Sequence, residues 1–233
     1  LDGVLGTHRV FPAANLVAAP AHLSDAEAAA LPCAGVTAWS ALTAFSGITD
    51  RDSVLIHGSG GVGLMALLLA KAMGARCTVT TSGKDKARRL IAMGADSAIV
   101  RTAPNWTAKA VDANGGKFDR VLELGGAETL NASVRCTRPG GIVVLIGNVT
   151  GSRTDLDLTP VLTRRLTLAA VSCGPAESHR HLAQFVQDRA LRPVVDSAFA
   201  FDDLTSAYAA LRQGGGFGKL CISIGGEDDH SNG

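Results

Sequence analysis

SVLIHGSGGVGLMALLLAKAMGA, residues 53–75, decides how the rest of the chain is read. Apolar and β-branched residues run straight into a cluster of glycines, and the glycines run straight into a helical apolar pattern. Gly58, Gly60 and Gly63 fit the spacing Gly-x-Gly-x-x-Gly, which is weak evidence alone because glycine is common. Its value rises when a strand precedes it and a helix follows, as the pattern predicts for Ser53–His57 and for Gly61–Met73. Each glycine then has its own reason. Gly58 permits a sharp turn off the strand, Gly60 lets a pyrophosphate approach bare backbone, and Gly63 lets the helix pack closely on the sheet. The unpaired N–H groups and positive dipole end of the helix would face the phosphates. A plain strand–turn–helix is the competing reading, and the flanking pattern argues against it.

Working outward, helices and strands alternate. Upstream, Thr7–Ala18 reads as short extended pieces broken by a proline. Ser24 reads as an N-cap with Asp25 and Glu27 in the first turn, and VTAWSALTAF as a helix ending near Gly47. Downstream, strands are predicted at Arg76–Thr81, Ser97–Val100, Asp119–Glu123, Gly141–Ile146 and Leu166–Val171. Helices are predicted at Lys84–Met93, Thr107–Ala113, Thr129–Cys136 and Ala176–Arg189. The strand pieces VLI, IVVLI and LTLAAV are near-continuously apolar, as doubly buried parallel strands are. The fold class that follows is α/β, a Rossmann-type doubly wound parallel sheet. After Leu191 the alternation stops, leaving an extended piece, a helix at Phe201–Arg212, a glycine-rich turn and a final apolar strand. The small polar segment 225–233 reads as a disordered tail.

The end of the second strand is where an acidic side chain would take a ribose 2′-hydroxyl. Here stand Thr81, Ser82 and Gly83, while Asp85 lies further on as a helix-capping charge. A carboxylate at that place would repel a 2′-phosphate, so its absence favours NADP, with NAD as second choice. Ser82 would donate a hydrogen bond, and Lys84, Lys86 or Arg101 would supply positive charge. The plainer reading of those cations is a solvated helix surface.

Bulk properties narrow the class. A net charge of +1 gives no reason to expect nucleic acid or an anionic membrane as partner. No apolar run is long enough to span a bilayer, and the first residues show no signal-peptide pattern. Cys33, Cys77, Cys136, Cys173 and Cys221 are odd in number, widely spaced and without a C-x-x-C pair. They read as individually buried, reduced thiols in a cytoplasmic protein.

The segments LSDAEAAALPCAGVTAWSAL, SVLIHGSGGVGLMALLLAKAMGA, GGIVVLIG, LRPVVDSAFAFDDLTSAYAALRQGG and GFGKLCISI, in this order, resemble the C-terminal two thirds of the medium-chain dehydrogenase/reductase superfamily. That superfamily holds zinc-type alcohol dehydrogenases and quinone oxidoreductases. The resemblance implies remnants of a GroES-like catalytic domain at both ends. Residues 1–24 would be one remnant, 25–192 the NAD(P)-binding domain, and 193–224 a C-terminal return segment. It implies a piece of a longer NADP-dependent oxidoreductase that acts on an alcohol, carbonyl or activated alkene. A non-catalytic nucleotide-binding module or redox sensor is the alternative. Thr37 would sit near the nicotinamide ribose or phosphates, and Gly60, Gly61 and Val62 would line the pyrophosphate. Ser82 and Lys86 would meet the 2′-phosphate. Gly125, Gly147 and Asn148 would flank the adenosine and nicotinamide sides, and Phe217 and Lys219 would approach the nicotinamide end. For the glycines after strands, a turn or packing role competes.

Cys33 matches a position where zinc-type members place one catalytic zinc ligand. A catalytic zinc needs three protein ligands, and no partner for Cys33 is evident here, so the expectation is a small buried residue and no zinc. No side chain stands out as a general acid or base, and the catalytic residues are left unassigned. A short-chain-dehydrogenase reading fails because Tyr208 is followed at the required spacing by Arg212. The strand RLTLAAVSC resembles the edge through which members pair cofactor domains, which implies a homodimer through Leu166–Val171.

Overall fold

The computed structural model describes residues 3–214 and 216–225. Ser24 opens α1 (Asp25–Ala29) with a capping box: its hydroxyl accepts from the Glu27 N–H, and the Glu27 carboxylate accepts from the Ser24 N–H at 2.8 Å. A π-helical turn, Leu31–Gly35, feeds α2 (Val36–Thr43). The alternation follows as β1 (Ser53–His57), α3 (Gly61–Ala72), β2 (Arg76–Thr81), α4 (Lys84–Ala92) and β3 (Ser97–Val100). It continues as α5 (Trp106–Asn114), β4 (Phe118–Glu123), α6 (Leu130–Cys136), β5 (Thr137–Leu145), α7 (Thr159–Thr163), β6 (Thr167–Ala170) and α8 (Ala176–Asp188). The chain closes with β7 (Val195–Ala200), α9 (Leu204–Gln213) and β8 (Lys219–Ser223).

Six strands form one sheet in the order β3-β2-β1-β4-β5-β6, and every pairing is parallel. This is the doubly wound order expected of the sequence, with the direction of winding reversing between β1 and β4. Side-chain alternation supplies a core to each face. Val54, Ile56, Leu122 and Val144 join Leu64, Leu67 and Leu182 on one side. Leu55, Val121 and Val143 join Ala110, Phe118 and Val134 on the other. All five residues of β1 are buried, as befits a strand at the centre. β7 and β8 form a separate parallel pair.

The differences from expectation are local. β5 begins at Thr137, four residues ahead of the expected start at Gly141. Thr159–Thr163 forms a short helix with Pro160 in its first turn, in a segment without a periodic signal. Residues 3–24 carry a single 3-10 turn at Ala13–Asn15 and are strapped to α8: the Ala21 N–H donates to Gln187 Oε1 at 2.8 Å, and Arg180 donates to the Ala14 carbonyl at 2.9 Å. Apart from Gly225, the expected polar tail lies outside the described residues.

One buried cation ties the sheet to its helical layer. Arg120, on β4, is 2% exposed and projects to the C-terminal end of α2. Its guanidinium donates to the carbonyls of Ala41 (2.7 Å), Leu42 (3.1 Å), Ala44 (3.4 Å) and Gly47 (3.2 Å) and to Ser46 Oγ (3.3 Å). A positive group is favoured at this helix end, and these carbonyls have no intrahelical donor. Arg120→Met therefore strands buried acceptors, and it is expected to lower the unfolding free energy by about 3 kcal/mol. Urea titration of both proteins gives that difference.

Candidate functional site

The turn after β1 is built by three distinct constraints. Gly58 takes φ +86°, a conformation side chains resist. A Cβ on Gly63 would lie 2.2 Å from the Gly58 carbonyl oxygen, so helix and turn touch backbone to backbone. Gly60 is extended (φ −82°, ψ −174°), caps α3 without a side chain, and would direct a Cβ at nothing within 4 Å. The result is a helix start with N–H groups of its first turn unmatched within the helix, behind a surface bare of side chains.

A cleft of about 630 Å³ opens at this point, at the carboxyl ends of the strands. Of the residues singled out by sequence, Thr37, Gly58, Gly60, Gly61, Val62, Gly63, Gly125 and Gly147 line it. Arg101, at the end of β3, lines it too. The lining also includes Leu124, Ile146, Val171, Ser172 and Cys173, which the sequence did not mark as site residues. They follow the ends of β4, β5 and β6, so strand-end position is the signal that would have found them.

Other expected residues stand elsewhere. Phe217 is not on the cleft surface; it is 2% exposed, with the Arg89 guanidinium 3.8 Å from its ring centre. Lys86 donates to the Gly216 carbonyl at 2.9 Å, across from α4 to the C-terminal segment. Ser82 is exposed, just ahead of α4 and outside the lining. Thr81 is buried, and its hydroxyl has no hydrogen-bond partner among the described residues. Asn148 sits in the turn packed against Gly126, off the cleft surface. Lys219 lies against the glycine turn, its stem so close to Gly61 that a Cβ there would be 2.5 Å from Lys219 Cδ. Gly218 completes this junction: its N–H donates to the Ser59 carbonyl at 3.2 Å, and it bridges Gly60.

The cysteines correct a second expectation. Cys33 is exposed and lines the cleft, because the π-helical turn buries Leu31, Ala34 and Gly35 and turns Pro32 and Cys33 outward. Cys173, partly buried on the same surface, donates from Sγ to the Pro32 carbonyl at 3.4 Å. Cys77 and Cys136 are the buried pair, and burial pushes their thiols up to about 12 and about 11. Among the described residues no three His, Cys, Asp or Glu side chains gather to hold a metal ion. No helix among them is long and apolar enough to cross a membrane.

This architecture is that of a Rossmann-type domain with its cleft at the switch point. The comparisons with known proteins agree. The zinc-binding dehydrogenase family matches residues 61–188, more than half of the chain. A zinc-type alcohol dehydrogenase-like protein of Schizosaccharomyces pombe is 34% identical over 231 residues, covering 96% of this chain and 67% of that protein. A crystal structure from Sinorhizobium meliloti 1021, assigned as an alcohol dehydrogenase, superposes with TM-score 0.85 at 35% identity over 89% of this chain and 61% of that one. A NAD-dependent alcohol dehydrogenase superposes with TM-score 0.86 at 30% identity, over 92% and 63%. The chain belongs to the zinc-binding dehydrogenase family, within the medium-chain dehydrogenase/reductase superfamily. It spans roughly two thirds of the length of these relatives.

His57 forms part of the cleft floor and is 2% exposed. Burial depresses its imidazole to about 4, opposed by the Glu123 carboxylate and reinforced by Arg101. The ring is therefore neutral at ordinary pH. Because its folded-state value lies below the unfolded value of 6.5, the unfolded chain takes up the proton first as pH falls. The His57 contribution to stability is fully present above pH 6.5 and is lost progressively as pH falls below it. His179, also depressed by burial, contributes in the same direction. Urea titrations across this range should show the decline, and His57→Gln should flatten most of it.

Proposed function

We propose that this chain is the nucleotide-binding part of an NADP-dependent oxidoreductase that moves a hydride to or from an alcohol, carbonyl or activated alkene. The observation that carries the reading is the glycine turn at the switch point, where Gly60 offers backbone without a side chain at the first turn of α3. When bound, the nicotinamide supplies the hydride chemistry. This chain's residues would hold the pyrophosphate on the Gly60–Gly63 turn, with Thr37 and Gly147 on the neighbouring walls. NADP is favoured over NAD because β2 ends at Thr81, followed by Ser82, without a carboxylate, and because Arg101 brings positive charge to the cleft. Residues 1–24 and 193–224 are read as parts of a second, GroES-like domain, supported by the separate β7–β8 pair. The five free cysteines fit a reducing compartment, the cytoplasm.

Fluorescence titration is expected to show tighter binding of NADPH than of NADH. Gly60→Val should weaken NADPH binding by about tenfold or more at unchanged stability, since its side chain meets only open cleft. Gly63→Ala should instead destabilise the fold, through the 2.2 Å approach to Gly58. Binding without oxidation of NADPH by any quinone or aldehyde would favour a non-catalytic nucleotide module.

We also infer a homodimer paired through β6. Among the described residues this strand has a neighbour only on its β5 side, and the adjacent helix α7 exposes Leu162. Light scattering should give twice the chain mass, and replacing Ala170 by Pro, whose N–H faces away from β5 on the open edge, should give the single mass.

A further inference from the structure

Glu123 ends β4 and is 1% exposed, yet among the described residues no Lys or Arg is ion-paired with it. Its charge is held by neutral donors instead. Oε1 accepts from the Gly125 N–H at 2.7 Å, the Gly126 N–H at 2.9 Å and the Thr129 hydroxyl at 2.5 Å. Oε2 accepts from the Ser133 hydroxyl. A serine that has given its proton to a carboxylate can only accept from its other neighbour. That neighbour is His57 Nε2, at 2.8 Å, so Nε2 carries the ring proton. Nδ1 then accepts from the Thr80 hydroxyl at 3.0 Å.

The carboxylate thus sets the direction of every bond, through α6 and β1 to β2, and the chain passes under both walls of the cleft. On one side it holds the Gly125–Gly126 turn, where Thr129 lies so near that a Cβ on Gly125 would be 2.2 Å from its hydroxyl oxygen. On the other it fixes His57, the residue before Gly58, whose own N–H donates to the Thr80 carbonyl at 2.9 Å.

We propose that Glu123 is a positioning residue for the nucleotide: without touching it, the carboxylate imposes one tautomer on His57 and locks the Gly125 wall to the glycine turn. The consequence for affinity rests on the nucleotide reading of the cleft, whereas the tautomer does not.

The test uses the full chain, with two readouts. Long-range ¹H–¹⁵N spectra should show His57 protonated at Nε2 in the native protein. Glu123→Gln keeps an oxygen for the three donors but presents an amide N–H to Ser133. Ser133 must then donate to His57 Nε2, and the ring proton should move to Nδ1, facing Thr80. NADPH titration should show a loss of about tenfold or more in Glu123→Ala, with Glu123→Gln recovering most of it. An unchanged tautomer in Glu123→Gln overturns the proposal whether or not Glu123→Ala folds. Native affinity in a folded Glu123→Ala overturns it as well. If native protein binds neither NADPH nor NADH, the nucleotide reading falls, and with it the role for the nucleotide, while the tautomer shift still decides whether Glu123 directs the chain of bonds.

Discussion

The contact between Gly63 and the Gly58 carbonyl governs the geometry of this molecule. With 2.2 Å between that oxygen and the place a Cβ would take, α3 can leave β1 only along one path. This path brings the N-terminus of α3 to the end of the central strand, and it lays Leu64, Leu67 and Ala70 on the face shared with Val54 and Ile56. A larger residue at 63 would push the helix off the sheet and shift the unmatched N–H groups away from the cleft. Core packing and ligand geometry therefore depend on one missing methyl group, and neither can be altered without the other.

Two other regions of the chain hold this junction in place. From the β4 side, Arg120 binds the end of α2, which leads the chain down to β1. From the C-terminal side, the return segment lies across the glycine turn, with Gly218 joined to Ser59, Lys219 lying over Gly61 and Phe217 under Arg89. The polar chain from Glu123 to Thr80 ties the floor together below. Each fastening links residues far apart in sequence, so a small turn is stabilised by most of the domain.

What the sequence made legible was local and periodic. The apolar strands, the glycine spacing and the Ser24–Glu27 cap carry their own signals, and the resulting fold class and cleft position agree with the structure. Features that depend on tertiary context were not visible. Cys33 reads as a buried thiol until the π-helical turn is seen to rotate it outward. Phe217 and Lys86 read as ligand contacts, and their contacts with Arg89 and the Gly216 carbonyl, across from α4 to the C-terminal segment, carry no signal in the sequence. Glu123 carried a faint signal, an acidic residue that closes the apolar run Val121–Leu122 two positions before a pair of glycines, and its meaning required knowing that Ser133 and His57 face it.

The bridge between Gly60 and Gly218 also has a mechanical side. Backbone to backbone, it couples the glycine turn to the strand β8, whose partner β7 lies outside the main sheet. A swing of that outlying pair about the main sheet would therefore tug on the cradle itself, with no flexible side chain between to absorb the displacement.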